Sequence, residues 1–170
     1  MSNSSFAAKV RESLPEKRKP KSAKSYVVWL LSRQEYSAAS LRDKLLSKEF
    51  SVEEVSAAIA FVQEHGFQSD ERFAASKARS NSTRQGNWRV KQELLKKGIP
   101  EDIAQAQLDA LPPEEERLAR VISRFQGKEF TSELKQKIYR FLAQRGFSSR
   151  SIKTAFSILK AGDLEIKEYD

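Results

Sequence analysis

The chain has 170 residues, of which 39% are hydrophobic and 32% charged, a balance typical of a soluble protein that can bury a core. Six glycines and five prolines are too few turn residues for an all-β sandwich. Lys and Arg number 31 against 23 Asp and Glu, a net charge of +8. We therefore expect a negatively charged partner, with nucleic acid the first candidate.

Several kinds of chemistry are excluded by residues that the sequence lacks. There are no cysteines, which rules out disulfides, thiol nucleophiles and cysteine zinc sites. The single histidine, His65, cannot form a histidine cluster, and no glycine-rich phosphate loop occurs. No apolar run reaches the ~18 residues of a membrane span, and no signal-peptide core is present. We predict a cytoplasmic protein that is not an enzyme, needs no cofactor or metal, and contacts no membrane.

Helix signals run along the body of the chain. Ser51 and Glu54 form a capping box. Gly66, Gly98 and Gly146 stand where apolar stripes stop, which is typical of helix C-termini. No segment alternates polar and apolar residues for long enough to compete as a strand. The sequence therefore predicts an all-α fold.

An internal repeat is the most informative feature of the sequence. A Leu, a mostly polar run, a turn residue and a large apolar residue recur after 49 and 48 residues, at residues 45–50, 94–99 and 142–147. Nine positions later another large apolar residue follows each time; these are Ile59, Leu108 and Phe156. This period holds about three short helices. We predict an elongated tandem array of three three-helix repeats whose neighbours complete each other's cores.

The repeat period and the charge pattern set the predicted boundaries. The repeats are placed at residues 22–67, 68–111 and 112–161. Residues 1–21 are rich in Lys, Ser and Pro and are predicted to form a basic flexible arm. Residues 162–170 form an acidic C-terminal tail.

Other conspicuous residues have structural interpretations. Acidic clusters that precede apolar stripes, such as Glu114-Glu115-Glu116, are interpreted as first helical turns, which favour negative charge, rather than as acid–base pairs. His65 is interpreted as a helix C-cap. Trp29 is predicted to lie in the core, and core or inter-repeat packing is favoured for Trp88 over stacking on a base.

Four blocks of sequence carry a resemblance to a known family. They are Arg33 to Leu45, Gly66 to Ala74 (GFQSDERFA), Gly86 to Ile99 (ending in QELLKKGI) and Phe141 to Ser148 (FLAQRGFS). Their order and spacing resemble those of the RecX family from about residue 24 to residue 160. The arm at residues 1–21 lies outside this resemblance.

The resemblance implies a non-enzymatic modulator, mainly an inhibitor, of the RecA recombinase. Such a protein lodges in the groove of the RecA–DNA filament and bridges its protomers. It represses ATP hydrolysis, strand exchange and coprotease activity. It also binds single- and double-stranded DNA weakly and without sequence preference, and we expect a monomer.

Basic side chains of repeats two and three are the candidate binding residues. Residues 69–98 carry eight basic and three acidic side chains, whereas residues 25–68 carry four and six. We predict a positive surface that faces DNA or acidic RecA surfaces. Its predicted members are Arg72, Lys77, Arg79, Arg84, Arg89, Lys96, Lys97, Lys135, Lys137, Arg140, Arg145, Arg150 and Lys153.

A second function stays open at this point. Short helices joined at Gly98 or Gly146 are also compatible with a sequence-specific helix-turn-helix transcriptional regulator. Such a regulator discriminates one duplex sequence by several kcal/mol. A filament modulator shows salt-sensitive, sequence-indifferent DNA affinity and needs RecA for its main effect.

Overall fold

The computed structural model describes residues 22–125 and 131–157. Over these residues the chain forms nine α-helices, one short 3₁₀ turn and no strand, which confirms the all-α prediction. The helices are α1 (Ala23–Leu31), α2 (Ala38–Leu46), α3 (Val52–Glu64), α4 (Asp70–Ser82), α5 (Asn87–Lys96), α6 (Glu101–Asp109), α7 (Glu114–Ile122), α8 (Ser132–Gln144) and α9 (149–157). The predicted arm at 1–21 and tail at 162–170 lie outside the described residues.

Local sequence explains where the helices begin. Side-chain hydroxyls accept a hydrogen bond from the first-turn N–H groups of five helices, and these N-caps are Ser22, Ser37, Ser51, Ser69 and Thr131. Ser51 and Glu54 form the predicted capping box. Prolines precede α6 and α7, and the acidic clusters lie in the first turns of α3, α4, α6 and α7. The interpretation of these acids as helix starts is therefore confirmed.

Each set of three helices closes its own hydrophobic core. The three cores are built by α1–α3, α4–α6 and α7–α9. The repeated leucines Leu45, Leu94 and Leu142 are fully buried, one in each core. The expectation that neighbouring repeats complete each other's cores is wrong for the described residues, because the apolar stripes of each unit meet one another rather than the next unit. The described helices include none that is long and apolar enough to cross a membrane.

The turn after each second helix takes a left-handed backbone conformation. Its φ angles are +63° at Glu49, +73° at Gly98 and +79° at Gly146. Gly98 and Gly146 also lie against the preceding repeat. A Cβ at Gly98 would lie 2.4 Å from the Cβ of Ala39, and one at Gly146 would lie 2.6 Å from the backbone nitrogen of Arg89. Glycine is required at these two turns for both conformation and close approach.

Successive repeats are joined through the ends of their second helices. In the first junction, the Ser37 hydroxyl at the start of α2 donates to the Lys97 carbonyl at the end of α5, with 2.6 Å between the oxygens. In the second, the Gly86 N–H at the start of α5 donates to the Arg145 carbonyl at the end of α8 over 2.9 Å. One arrangement therefore joins both pairs of repeats.

A carboxylate completes each junction. Asp70 begins α4 and accepts a hydrogen bond from the Ala38 N–H at 2.9 Å. Glu114 begins α7 and accepts one from the Asn87 N–H at 2.7 Å. Each acid lies in the first turn of its own helix and also caps a helix of the preceding repeat. The negative charge is favoured there because unpaired N–H groups of two helix starts face it.

Candidate nucleic-acid interface

Most of the predicted basic residues reach solvent. Eleven of the thirteen are exposed, and Lys77 and Arg145 are half-buried. The structure places Lys77 and Lys97 in a cleft between repeats one and two, and Lys135, Lys137 and Arg140 on α8. The role of each residue in binding stays a prediction.

Arg72 and Arg89, both in the predicted set, form ion pairs with acids of the same chain. The Nε of Arg72 lies 2.7 Å from Oε1 of Glu35, and its guanidinium also donates to the carbonyls of Gly66 and Phe67. Arg72 therefore ties repeat two to repeat one. The Nε of Arg89 lies 3.5 Å from Oε1 of Glu93, one turn away on α5. These exposed pairs contribute little to stability, but they compete with an external anion.

A cleft of about 520 Å³ lies between repeats one and two. We call it the junction cleft. Two predicted residues, Lys77 and Lys97, line it together with Lys44. The sequence prediction missed Lys44 because repeat one has a net negative charge. The available signal was the pair Ser40 and Lys44, spaced one turn apart on the polar side of a helix.

Repeat three presents its basic side chains along α8. Lys137 and Arg140 line a shallow groove with Phe141. The guanidinium carbon of Arg145 lies 3.7 Å from the centre of the Phe141 ring, a cation–π contact that fixes the position of this charge. The exposed Arg150 and Lys153 follow on α9.

Both tryptophans are more exposed than the sequence predicted. Trp29 is 49% exposed and Trp88 is 63% exposed, so neither lies in the core, and of the two packing roles favoured for Trp88 only a position between repeats stays open. Each helix buries one face only, and α5 uses Val90 and Leu94 for it. Trp29 stacks on Tyr26 with ring centres 5.8 Å apart. Trp88 lines a groove of about 770 Å³ between repeats two and three.

His65 takes the role predicted for it. It is the C-cap of α3, and its Nδ1 lies 2.8 Å from the carbonyl oxygen of Phe61. Its ring also contacts the Phe61 and Phe67 rings. Within residues 22–125 and 131–157, no group of three or more His, Cys, Asp or Glu side chains is placed to hold a metal ion.

The junction between repeats two and three contains a buried acid. Glu114 is 8% exposed. It accepts hydrogen bonds from the Asn87 N–H, the Ser148 N–H and the Ser151 hydroxyl, at 2.7, 3.1 and 2.7 Å. Burial alone raises the pKa of this carboxyl, but the hydrogen bonds from Asn87, Ser151 and Ser148 outweigh burial and hold the pKa below its usual value. The anion is the form that the junction binds.

A buried arginine lies beside this acid. Arg117 donates from Nη1 to the Ser82 and Gln85 carbonyls, each at 3.1 Å. It also donates from Nε to the Pro112 carbonyl at 3.0 Å, and from Nη2 to the Asn87 side chain. Burial lowers the pKa of the Arg117 guanidinium, and this effect is larger than the opposite effect of the nearby Glu114 carboxylate, which raises the pKa. The side chain joins repeat three to the end of α4 and the start of α5.

The lowered pKa of Glu114 makes the junction sensitive to acid. Because the folded pKa is depressed, the stability from this group is present above the usual value of 4.5 and is lost as the pH falls through the folded pKa. We expect Glu114→Gln to lower the free energy of unfolding by about 2 kcal/mol at pH 7, and by much less near pH 3. Urea denaturation at both pH values measures the difference.

The matched control for this experiment is Glu116→Gln, at an exposed position in the same helical turn. It should leave the free energy of unfolding within about 0.5 kcal/mol of the parent's at both pH values. An equal gap between parent and E114Q at pH 7 and pH 3 would contradict the assignment.

The fold and surface define a class: a tandem helical-repeat protein with exposed basic side chains concentrated on its second and third units. Comparison with known proteins gives the family. Three RecX domain families match in order, the first three-helix domain at residues 23–61, the second at 69–108 and the third at 114–156. The chain belongs to the RecX family.

Individual relatives agree with this assignment. The chain is 35% identical over 152 residues to "Regulatory protein RecX" of Haemophilus ducreyi, covering 87% of this chain and 97% of that one. It is 37% identical over 141 residues to the protein of the same name from Herbaspirillum seropedicae, covering 82% and 92%. The crystal structure of RecX from Lactobacillus salivarius has a TM-score of 0.71 at 24% identity, covering 82% of this chain and 95% of that one.

Proposed function

We propose that this protein regulates RecA, mainly as an inhibitor, by binding in the groove of the RecA–DNA filament and bridging its protomers. The observation that carries the proposal is the set of three RecX domains in tandem. The protein acts in the cytoplasm as a monomer, without catalysis of its own. It represses ATP hydrolysis, strand exchange and coprotease activity.

The junctions support a bridging role. Matching hydrogen bonds join both pairs of repeats, and a carboxylate caps each joint. A chain held in this way keeps its binding surfaces at fixed separations. A ligand that contacts several protomers favours the one filament geometry that fits it, and so opposes the changes that turnover requires.

Exposed basic residues support contact with DNA or with acidic surfaces of RecA. Eleven of the thirteen predicted residues are exposed, and several have no carboxylate within ion-pairing distance among the described residues. Such charges give salt-sensitive affinity without sequence preference. The test that separates this function from a transcriptional regulator is therefore the dependence on RecA.

The decisive experiment is a titration of the cognate RecA, turning over ATP on single-stranded DNA, with this protein. We expect inhibition of hydrolysis at substoichiometric ratios. Unchanged hydrolysis, under conditions where the protein binds DNA, would sink the proposal. In that case, affinity for one duplex sequence several kcal/mol above that for others would support the helix-turn-helix alternative.

Charge reversal on the exposed basic surface should weaken the inhibition. We expect Lys96→Glu with Arg140→Glu to raise the half-inhibitory concentration by roughly tenfold, because two attractive contacts become repulsive. The same ATP hydrolysis assay measures the change. The control reverses two exposed charges outside the predicted surface, Arg42→Glu with Arg120→Glu, and should inhibit like the parent. Equal potency of both variants would remove the basic surface from the mechanism.

A further inference from the structure

The junction cleft is bounded by one face from each of two helices. On the α2 side are Ser40 and Lys44, one turn apart. On the α4 side are Ser76, Lys77 and Ser80, which recur at intervals that place them on one helix face. Polar groups of two different repeats therefore line one space.

The end of α5 completes the cleft with a third lysine. Lys97 lines it from the C-cap position of that helix. The Lys97 carbonyl accepts the Ser37 hydroxyl at 2.6 Å, which fixes this helix end against the start of α2. Asp70 holds the start of α4 to the same place through the Ala38 N–H. The three lysines meet because the junction brings three helices together, not because they are close in sequence.

The lining of the cleft carries three lysines and one acid, a net charge of +2 (3 minus 1). No carboxylate among the described residues lies within ion-pairing distance of Lys44, Lys77 or Lys97. Glu35 is the acid of the lining; its Oε1 is paired with the Arg72 guanidinium at 2.7 Å, and its Oε2 is buried without a hydrogen-bond partner. Three like charges around one space repel one another. An anion in the cleft would relieve that repulsion.

The donor set favours phosphate over carboxylate. Protein contacts to nucleic-acid phosphates come from Lys and Arg together with Ser, Thr, Gln and Tyr, and the cleft offers three lysines, three serines, Gln34 and Tyr36. A protein carboxylate is better matched by the planar fork of an arginine, and no arginine lines this cleft. Lys44 is held over the Tyr36 ring, with its Nζ 5.2 Å from the ring centre, so its charge is already positioned.

We propose that the junction cleft binds phosphate groups of a DNA strand. The inference rests on the proposed function only in taking DNA as the polyanion. It places a DNA contact at the joint between repeats one and two, and includes a residue of the repeat whose net charge is negative. A strand bound there contacts both repeats at once, so binding and the integrity of the junction are coupled.

The test compares two variants of equal charge. Lys44→Gln with Lys77→Gln removes two cleft lysines, and Arg42→Gln with Arg120→Gln removes two exposed charges elsewhere. Binding of a labelled oligothymidylate is followed by fluorescence anisotropy across a salt series, without RecA. We expect the cleft variant to bind roughly tenfold more weakly and its salt slope to fall by about 1.4, since each single-strand phosphate contact contributes about 0.7. The control variant should keep the parent's affinity and salt slope, with changes that are a small fraction of those in the cleft variant.

A charge-conserving variant separates charge from shape. Lys44→Arg with Lys77→Arg should retain most of the parent's affinity and slope. Parental affinity and slope in the K44Q/K77Q variant would overturn the proposal. So would loss of RecA inhibition in that variant with DNA binding intact, since the ligand would then be a protein surface. RecA hydrolysis is measured separately with the parent, so failure of the regulatory function does not decide the DNA result.

Discussion

Replacing Gly86 with alanine is expected to separate repeat three from repeat two and to lower the stability by about 3 kcal/mol or more. A Cβ at this position would lie 2.2 Å from the Gly146 carbonyl oxygen and 2.3 Å from the Phe147 nitrogen. Those are backbone atoms, so no side-chain rotation can relieve the overlap. The Gly86 N–H would also lose its bond to the Arg145 carbonyl.

Two measurements check this result. Urea denaturation followed by circular dichroism should show the loss of stability. The first unfolding transition should occur at a lower urea concentration than in the parent. Small-angle scattering should show a larger radius of gyration, because repeat three has its own core and can stay folded after it detaches. A variant that unfolds at the parent's midpoint with an unchanged radius would show that the contact is unimportant.

Gly66→Ala is the matched control for Gly86→Ala. Gly66 has a φ of +67°, and nothing lies within 4 Å of a Cβ built there. The substitution costs only the left-handed conformation, about 1 kcal/mol. Gly86 has a φ of −77°, which alanine adopts freely, so its cost comes from contact alone. The two variants therefore separate backbone conformation from packing between repeats.

Removing the buried guanidinium should have an effect of similar size. We expect Arg117→Met to lower the free energy of unfolding by about 3–5 kcal/mol at pH 7, because Glu114 stays buried without its nearby cation. The carbonyls of Ser82 and Gln85 also lose their donor. Urea denaturation measures the loss. Arg120→Met, at an exposed position on the same helix, should cost no more than about 0.5 kcal/mol.

A double variant tests whether Arg117 and Glu114 act together. In the Arg117→Met, Glu114→Gln protein the buried carboxylate is gone as well. Its total loss should therefore be smaller than the sum of the two single losses, by about 1 kcal/mol or more. Additive losses would mean that the two side chains stabilise the junction independently.

Local signals made the helices and repeats predictable. Ser51 with Glu54 and the glycines at 98 and 146 act within one or two turns of chain, so spacing alone reveals them. The leucines at 45, 94 and 142 recur because each unit needs the same buried position. The core position predicted for Trp29 is wrong because hydrophobic character does not show which face of a helix stays uncovered.

The junctions and the cleft could not be predicted from local sequence. Asp70 and Glu114 carry the signal of an ordinary helix start, and nothing local shows that each also caps a helix of the preceding repeat. Lys44 and Lys97 are far apart in sequence and meet only when two repeats dock. The basic surface was inferred from net charge per repeat, a quantity that hides single residues of the opposite sign.

The left-handed turn of the first repeat has a consequence for assembly. A stack built from one repeated contact has no intrinsic end, and a second copy of the chain can in principle extend it. Gly98 and Gly146 have only a hydrogen in place of a side chain, so the start of a helix from the preceding repeat can pack against them. Glu49 occupies the same turn of the first repeat and carries a Cβ. A helix start approaching as Ala39 approaches Gly98 would overlap that atom. The contact that joins successive repeats is therefore not available at the turn of the first repeat, which sets Glu49 apart from Gly98 and Gly146.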